Sequence, residues 1–248
     1  STAVYHEARR LVLDFFDAPA QQYIALFVKN TSEALNKLAK RLNLGEGEVL
    51  TTWMEHHSND LPWRLNNQAQ QIELTAEGCL DLTDLERKLK KTQPRIKLVT
   101  VCGASNVTGI VNPLQTIAEL AHHYGAQIAV DAAQLAPHFP LKIRSSGAEP
   151  LDYLSLSGHK IYAPFGSGVL IGPHETFRVG TPDQVGGGTV IAVSREEIVF
   201  APPPDRDEVG TPNLIGAVTL AVALRWLAHN DLPHLAAYEA NLTEYCFD

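Results

Sequence analysis

Short β-branched runs alternate with helical patterns over most of the chain. Tyr23–Val28, Glu48–Trp53, Ile96–Val101, Gln127–Val130 and Asp152–Leu156 are mostly apolar and of strand length. Between them, Glu33–Leu42, Leu82–Lys91 and Pro113–Tyr124 carry helical spacing, with Asp84, Glu86 and Lys88 on a polar side of the second. Pro113 falls near a first turn, where its missing N–H loses no bond, and Gly125 stands where that helix would end. The segment from Ser1 to Glu7 reads as the opening of an amphipathic helix. Leu214–Ala228 predicts a strongly apolar helix, Leu235–Tyr245 the start of another, and Pro202–Pro204 a rigid turn or link. Apolar strands alternating with helices predict an α/β fold: a mostly parallel sheet covered by helices on both faces. Ligands of such sheets bind at the carboxyl ends of the strands. Asn106, Asp131 and Lys160 each fall just after a predicted strand, so three distant regions point at one sheet edge.

Composition narrows the partners. With 248 residues and 45% hydrophobic content the chain can bury a substantial core. Its net charge of −8 argues against a nucleic-acid or anionic-membrane partner. Cys79, Cys102 and Cys246 form no CxxC and no ligand spacing, so neither a disulfide framework nor a metal site is expected, and a reducing cytoplasm fits. No apolar run reaches the length of a membrane span.

Several residues carry candidate chemistry. Thr31 and Ser32 lie at a strand-to-helix junction, where free N–H groups and the helix dipole favour a phosphate; a plain N-cap is the ordinary alternative. In Glu55-His-His-Ser-Asn59, a neutral imidazole can stack on a flat cofactor and move protons, although two loop histidines would look the same. Asn106, in a Gly-flanked loop, can reach a ring hydroxyl or simply make a turn. Asp131 ends an apolar strand and is followed by Ala-Ala, so its carboxylate needs a cation or strong donors. A pyridinium nitrogen is one such partner; capping the next helix is the alternative. Gln134 lies one turn on. Lys160, in Ser157-Gly-His-Lys160, can form a Schiff base with an aldehyde cofactor, against the commoner fate of a solvated lysine. Each signal is weak alone, and the order in which they occur is their strength.

The chain resembles a class V aminotransferase of pyridoxal phosphate (PLP) fold type I, closest to the cysteine desulfurase and selenocysteine lyase branch. The resemblance rests on Asn30-Thr-Ser-Glu33, Glu55-His-His-Ser-Asn59 with Pro62-Trp63, Ser105-Asn-Val-Thr-Gly109, Val130-Asp-Ala-Ala-Gln134, Ser157-Gly-His-Lys160, Tyr162–Gly168, Gly186–Thr189 and Gly210-Thr-Pro-Asn213. It implies a three-layer α/β/α sandwich with a mostly parallel mixed sheet. Residues 1–228 would form the large, PLP-binding domain, incomplete at its N-terminus. Residues 229–248 would begin the helix leading to a small domain that is largely missing, and both ends read as cut.

The resemblance also implies roles. Lys160 would bind the cofactor aldehyde, Asp131 pair with the ring nitrogen, and His56 stack on the ring. Asn106 and Gln134 would contact the ring hydroxyl, and Thr31, Ser32, Ser157 and His159 would hold the phosphate. Thr211 would reach the phosphate of a neighbouring subunit in a homodimer, and Arg206 would lie near that interface. The substrate would be a small amino acid, cleaved at a C–S bond, with a sulfur-acceptor protein as a further partner. A class V aminotransferase, an epimerase or lyase, and a non-catalytic PLP-binding or structural fragment are the competing expectations.

Overall fold

The computed structural model describes residues 2–92 and 96–247. Its strands are β1 (Tyr23–Val28), β2 (Glu48–Thr52), β3 (Gln68–Ile72), β4 (Ile96–Cys102), β5 (Gln127–Asp131), β6 (Tyr153–Ser157), β7 (Gly168–Pro173), β8 (Val190–Val193) and β9 (Ile198–Phe200). Its helices are α1 (Thr2–Phe15), α2 (Thr31–Arg41), α3 (Leu61–Asn66), α4 (Leu82–Thr92), α5 (Leu114–His123), α6 (His174–Arg178), α7 (Leu214–His229) and α8 (Leu232–Phe247).

Seven strands form one sheet in the order β1-β7-β6-β5-β4-β2-β3. The four pairings from β6 through β5, β4 and β2 to β3 are parallel, whereas β7 runs antiparallel to both β1 and β6. The sheet is therefore mixed and mostly parallel, as expected. β8 and β9 form a separate antiparallel pair.

Side chains alternate across the sheet with the two-residue period of a strand. In β1, Tyr23 and Ala25 face one core while Ile24, Leu26 and Val28 face the other. The first core packs α1, α4, α5 and α7 through residues such as Leu13, Leu85, Ile117 and Leu224. The second packs α2, α3 and α6 through Leu35, Leu38, Trp63 and Phe177. Helices thus cover both faces, and the central strands read as nearly continuous apolar runs because each is buried twice.

α5 stops where Gly125 takes a φ of 76°, a left-handed conformation that suits glycine. α7 is apolar almost all round because one side enters the first core while Ile215, Val222 and Trp226 stay exposed. The helix therefore packs largely within its own chain and still presents an apolar strip. No helix among the described residues is long and apolar enough to cross a membrane.

Buried ion pairs tie the 205–213 segment to the body. Arg9 pairs with Glu208 at 2.8 Å, and Glu208 also accepts from Tyr5 Oη and from Phe27 N, at 2.7 Å each. Arg41 Nε lies 2.9 Å from Asp207, and Lys37 donates to the Asp207 carbonyl. Arg206, which the resemblance implies near an interface, is itself buried. It donates to the carbonyls of Arg178 and Gly180 and stacks on Phe200.

Candidate cofactor site

The carboxyl ends of β1, β2, β4, β5 and β6 share one edge of the sheet, as the pairing directions require. A cavity of about 200 Å³ lies there. Thr31, Ser32, His56, Asn106, Asp131, Gln134, Ser157, His159 and Lys160 all line it. Of the residues expected at a cofactor, only Thr211 lies elsewhere. It is exposed and lines a second cleft with Lys29, Lys37 and Gly166.

Asp131 is the last residue of β5 and only 5% exposed. Its Oδ1 accepts from Ala133 N at 3.0 Å, and no cation pairs with it among the described residues. Burial pushes its carboxyl up from the ordinary range, while the Ala133 N–H, the Lys160 amine and His56 pull it down. The charge of Lys160 reaches Asp131, and both residues line the same cavity. Lys160 closes a one-turn 3₁₀ helix, Gly158–Lys160, directly after β6. It is half-buried, and among the described residues its amine has neither a hydrogen bond nor an ion pair.

The phosphate corner is assembled from two elements. Asn30 caps α2 by accepting from Glu33 N at 3.0 Å, and Glu33 returns the favour by accepting from Lys29 N at 2.5 Å. Thr31 N donates to Ser157 Oγ at 2.8 Å, and the two hydroxyls are also 2.8 Å apart. Among the described residues Ser32 N has no acceptor, which leaves a donor at the positive end of the helix. The cap is Asn30, so the ordinary cap reading of Thr31 and Ser32 does not describe their hydroxyls.

His56 follows β2 and caps a one-turn 3₁₀ helix, His57–Asn59. Ser58 N donates to His56 Nδ1 at 3.1 Å, which leaves the ring proton of the neutral imidazole on Nε2. Ser58 Oγ bridges His56 Nδ1 at 2.9 Å and Ser32 Oγ at 2.5 Å, joining the histidine to the phosphate corner. Ser58 was missed in the sequence; its place two residues after His56 was the available signal. Asn106 and Gln134 line the cavity, and neither side chain has a hydrogen-bond partner among the described residues. His159 is exposed and stacks on Phe165 with centroids 5.4 Å apart.

The donor set fits a flat phosphorylated pyridine. The buried, cation-free Asp131 would accept a ring N–H, the Ser32 N–H and neighbouring hydroxyls would hold phosphate, and Asn106 and Gln134 would meet a ring hydroxyl. No group of His, Cys, Asp and Glu among the described residues could hold a metal ion.

Comparison with known proteins agrees with the geometry. The sequence profile of the family described as Aminotransferase class-V matches residues 1–248. A probable cysteine desulfurase of Mycolicibacterium paratuberculosis is 38% identical over 99% of this chain and 36% of its own length. One from Streptomyces coelicolor is 36% identical over 99% of this chain and 60% of its own. The apo structure of a cysteine desulfurase from Thermococcus onnurineus superposes with a TM-score of 0.85 at 36% identity, covering 98% of this chain and 61% of that one. The chain thus spans well under two thirds of each of these relatives.

Proposed function

The chain belongs to the aminotransferase class-V family, and from that premise we propose that it is the PLP-binding part of a cysteine desulfurase-like enzyme acting on a small amino acid. The observation that supports this reading is the presence of Asp131 and Lys160 in one cavity, the first buried without a cation and the second without a partner among the described residues. When bound, the cofactor supplies an aldehyde and an electron-withdrawing ring.

The residues of the chain supply the rest. Lys160 Nζ would hold the aldehyde carbon of the cofactor and would be the base that accepts a substrate α-proton. Asp131 keeps a proton on the ring nitrogen, because a buried carboxylate is stabilised most by a cation beside it. His56, oriented through Nδ1 by Ser58, has Nε2 for relaying a second proton. Thr31, Ser32, Ser157 and His159 anchor the phosphate, and Asn106 and Gln134 the ring hydroxyl. Residues 1–228 are the cofactor-binding domain, with 229–248 leading onward. The exposed strip of α7 supports a homodimer in which Thr211 acts across the interface, and a sulfur-acceptor protein would take the product sulfur.

Adding PLP to the purified chain should give a visible absorption band that Lys160→Ala abolishes. L-cysteine should then perturb the band more than L-alanine or L-serine does. A chain that develops no such band is not a PLP protein, and a band indifferent to L-cysteine would remove the desulfurase reading.

A further inference from the structure

Next to His56 stands an acid that the proposed mechanism does not use. Glu55 Oε1 accepts from Thr52 Oγ1 at 2.6 Å, and Oε2 accepts from Asn59 Nδ2 at 2.6 Å. The orientation of Asn59 is fixed independently. Its Oδ1 accepts from the Trp63 indole at 3.0 Å and from the Thr100 hydroxyl at 2.7 Å, and an indole N–H can only donate. The Asn59 amide must therefore donate to Glu55, so Oε2 is an acceptor in either protonation state. Thr52 Oγ1 also accepts from Met54 N at 3.1 Å. Thr52, Asn59, Trp63 and Thr100 are all buried, so the spine from Thr52 to Trp63 is rigid. His56, the next residue, turns the other way and lines the cavity.

We propose that Glu55 is a positioning residue: it bridges Thr52 to Asn59 and so fixes the turn that presents His56 to the cavity. The inference rests on the cofactor reading only for its effect on PLP; the bridge itself does not. No cation pairs with Glu55 among the described residues. The groups facing it are the Cys102 thiol and backbone N–H, Asp131 and the Thr52 and Asn59 side chains. Its carboxyl lies deep in the fold, although the residue as a whole is only partly buried, and burial raises it to about 7. A proton carried by Glu55 would sit on Oε1, with Thr52 Oγ1 then accepting in place of donating.

Glu55→Gln preserves this pattern, since its amide oxygen can accept from Asn59 and its amide nitrogen donate to Thr52. Glu55→Ala removes the bridge, and Glu55→Asp, one methylene shorter, cannot span both partners. The first readout is the ¹⁵N spectrum of the histidines in the chain without PLP, with the His56 signal assigned by its loss in His56→Asn. The wild type and Glu55→Gln should show the Nε2–H tautomer. Glu55→Ala should move toward tautomer-averaged shifts, and Glu55→Asp takes its place if the alanine variant does not fold. The second readout is PLP affinity, within twofold of wild type for Glu55→Gln and about tenfold weaker for the disrupting variant. An unchanged His56 spectrum in the disrupting variant overturns the proposal, as does a Glu55→Gln chain as impaired as Glu55→Ala. Failure of the wild type to take up PLP overturns the cofactor reading alone, because the histidine spectrum still decides the bridge.

Discussion

Replacing Glu55 by glutamine should make the protein's stability less sensitive to alkali. The carboxyl titrates at 4.5 in its ordinary state and at about 7 in the fold, with burial the first cause. Between those two values the unfolded chain has lost the proton while the folded chain keeps it, so folding becomes less favourable as pH rises. At about 1.4 kcal/mol for each pH unit of separation, the wild type loses about 2.5 kcal/mol between pH 5 and pH 8 through this group. The partial exposure of the residue lowers that to about 2 kcal/mol. Glutamine has no proton to lose and keeps both hydrogen bonds. Asp131 is present in both proteins, so its own titration cancels apart from its coupling to Glu55, the last of the causes acting on that carboxyl. Urea unfolding at pH 5, 6, 7 and 8 gives the difference directly. The variant should gain about 2 kcal/mol on the wild type across the series, most of it before pH 7. Parallel stability curves would refute the reasoning, because they would mean that Glu55 is already ionised in the folded protein.

Gly158→Ala should disrupt the Lys160 turn: an added Cβ would lie 2.1 Å from Ser167 Oγ and 2.9 Å from the Ser167 carbonyl. A loss of about 1–3 kcal/mol in thermal unfolding and a PLP affinity at least tenfold weaker are expected, and Ser167→Ala should rescue neither fully because the carbonyl remains. His122 bonds Asp152 at 2.9 Å and Glu149 at 2.8 Å, and the Asp152 contact first raises it from 6.5 to about 9. Its contribution is whole below pH 6.5 and lost as pH rises through about 9, so His122→Gln should cost about 1–2 kcal/mol at pH 6 and almost nothing at pH 10; a pH-independent cost would show that the imidazole is not charged in the fold.

The sequence was most legible where burial imposes a pattern. β1, β4, β5 and β6 announce themselves because a strand buried on both faces must be a short apolar run, and the residues that follow such runs then share one edge without any knowledge of contacts. Helix ends were less so: α2 starts at Thr31, two residues before the expected Glu33, because the cap is Asn30 and not a later residue. β3, with the sequence QAQQI, has no apolar alternation; it is a strand because β2 offers it a free edge. β8 and β9 are largely exposed and pair only with each other, so no burial pattern marks them. Glu55 escaped notice for a different reason. Two histidines beside it drew the chemical reading, and nothing local shows that its partners lie three residues back and four ahead.

The costliest omission was β7, because that strand determines how tightly the site closes. Gly168 opens it and lies opposite Val28 on one side and Ser157 on the other. A Cβ there would stand 2.7 Å from the Leu156 carbonyl and 2.8 Å from Asn30 Cα. The glycine therefore lets the end of β6 and the start of α2 approach a common line, and the Thr31–Ser157 contacts at 2.8 Å follow from that approach. Ser167, the residue before it, receives Gly158 N through its carbonyl at 2.6 Å and so holds the turn that carries Lys160. An antiparallel return strand, read from the sequence as no more than the end of a glycine-rich motif, is thus what brings the amine and the phosphate corner into one cavity. A parallel strand at that place would enter from the opposite edge of the sheet, and its first residues could touch neither.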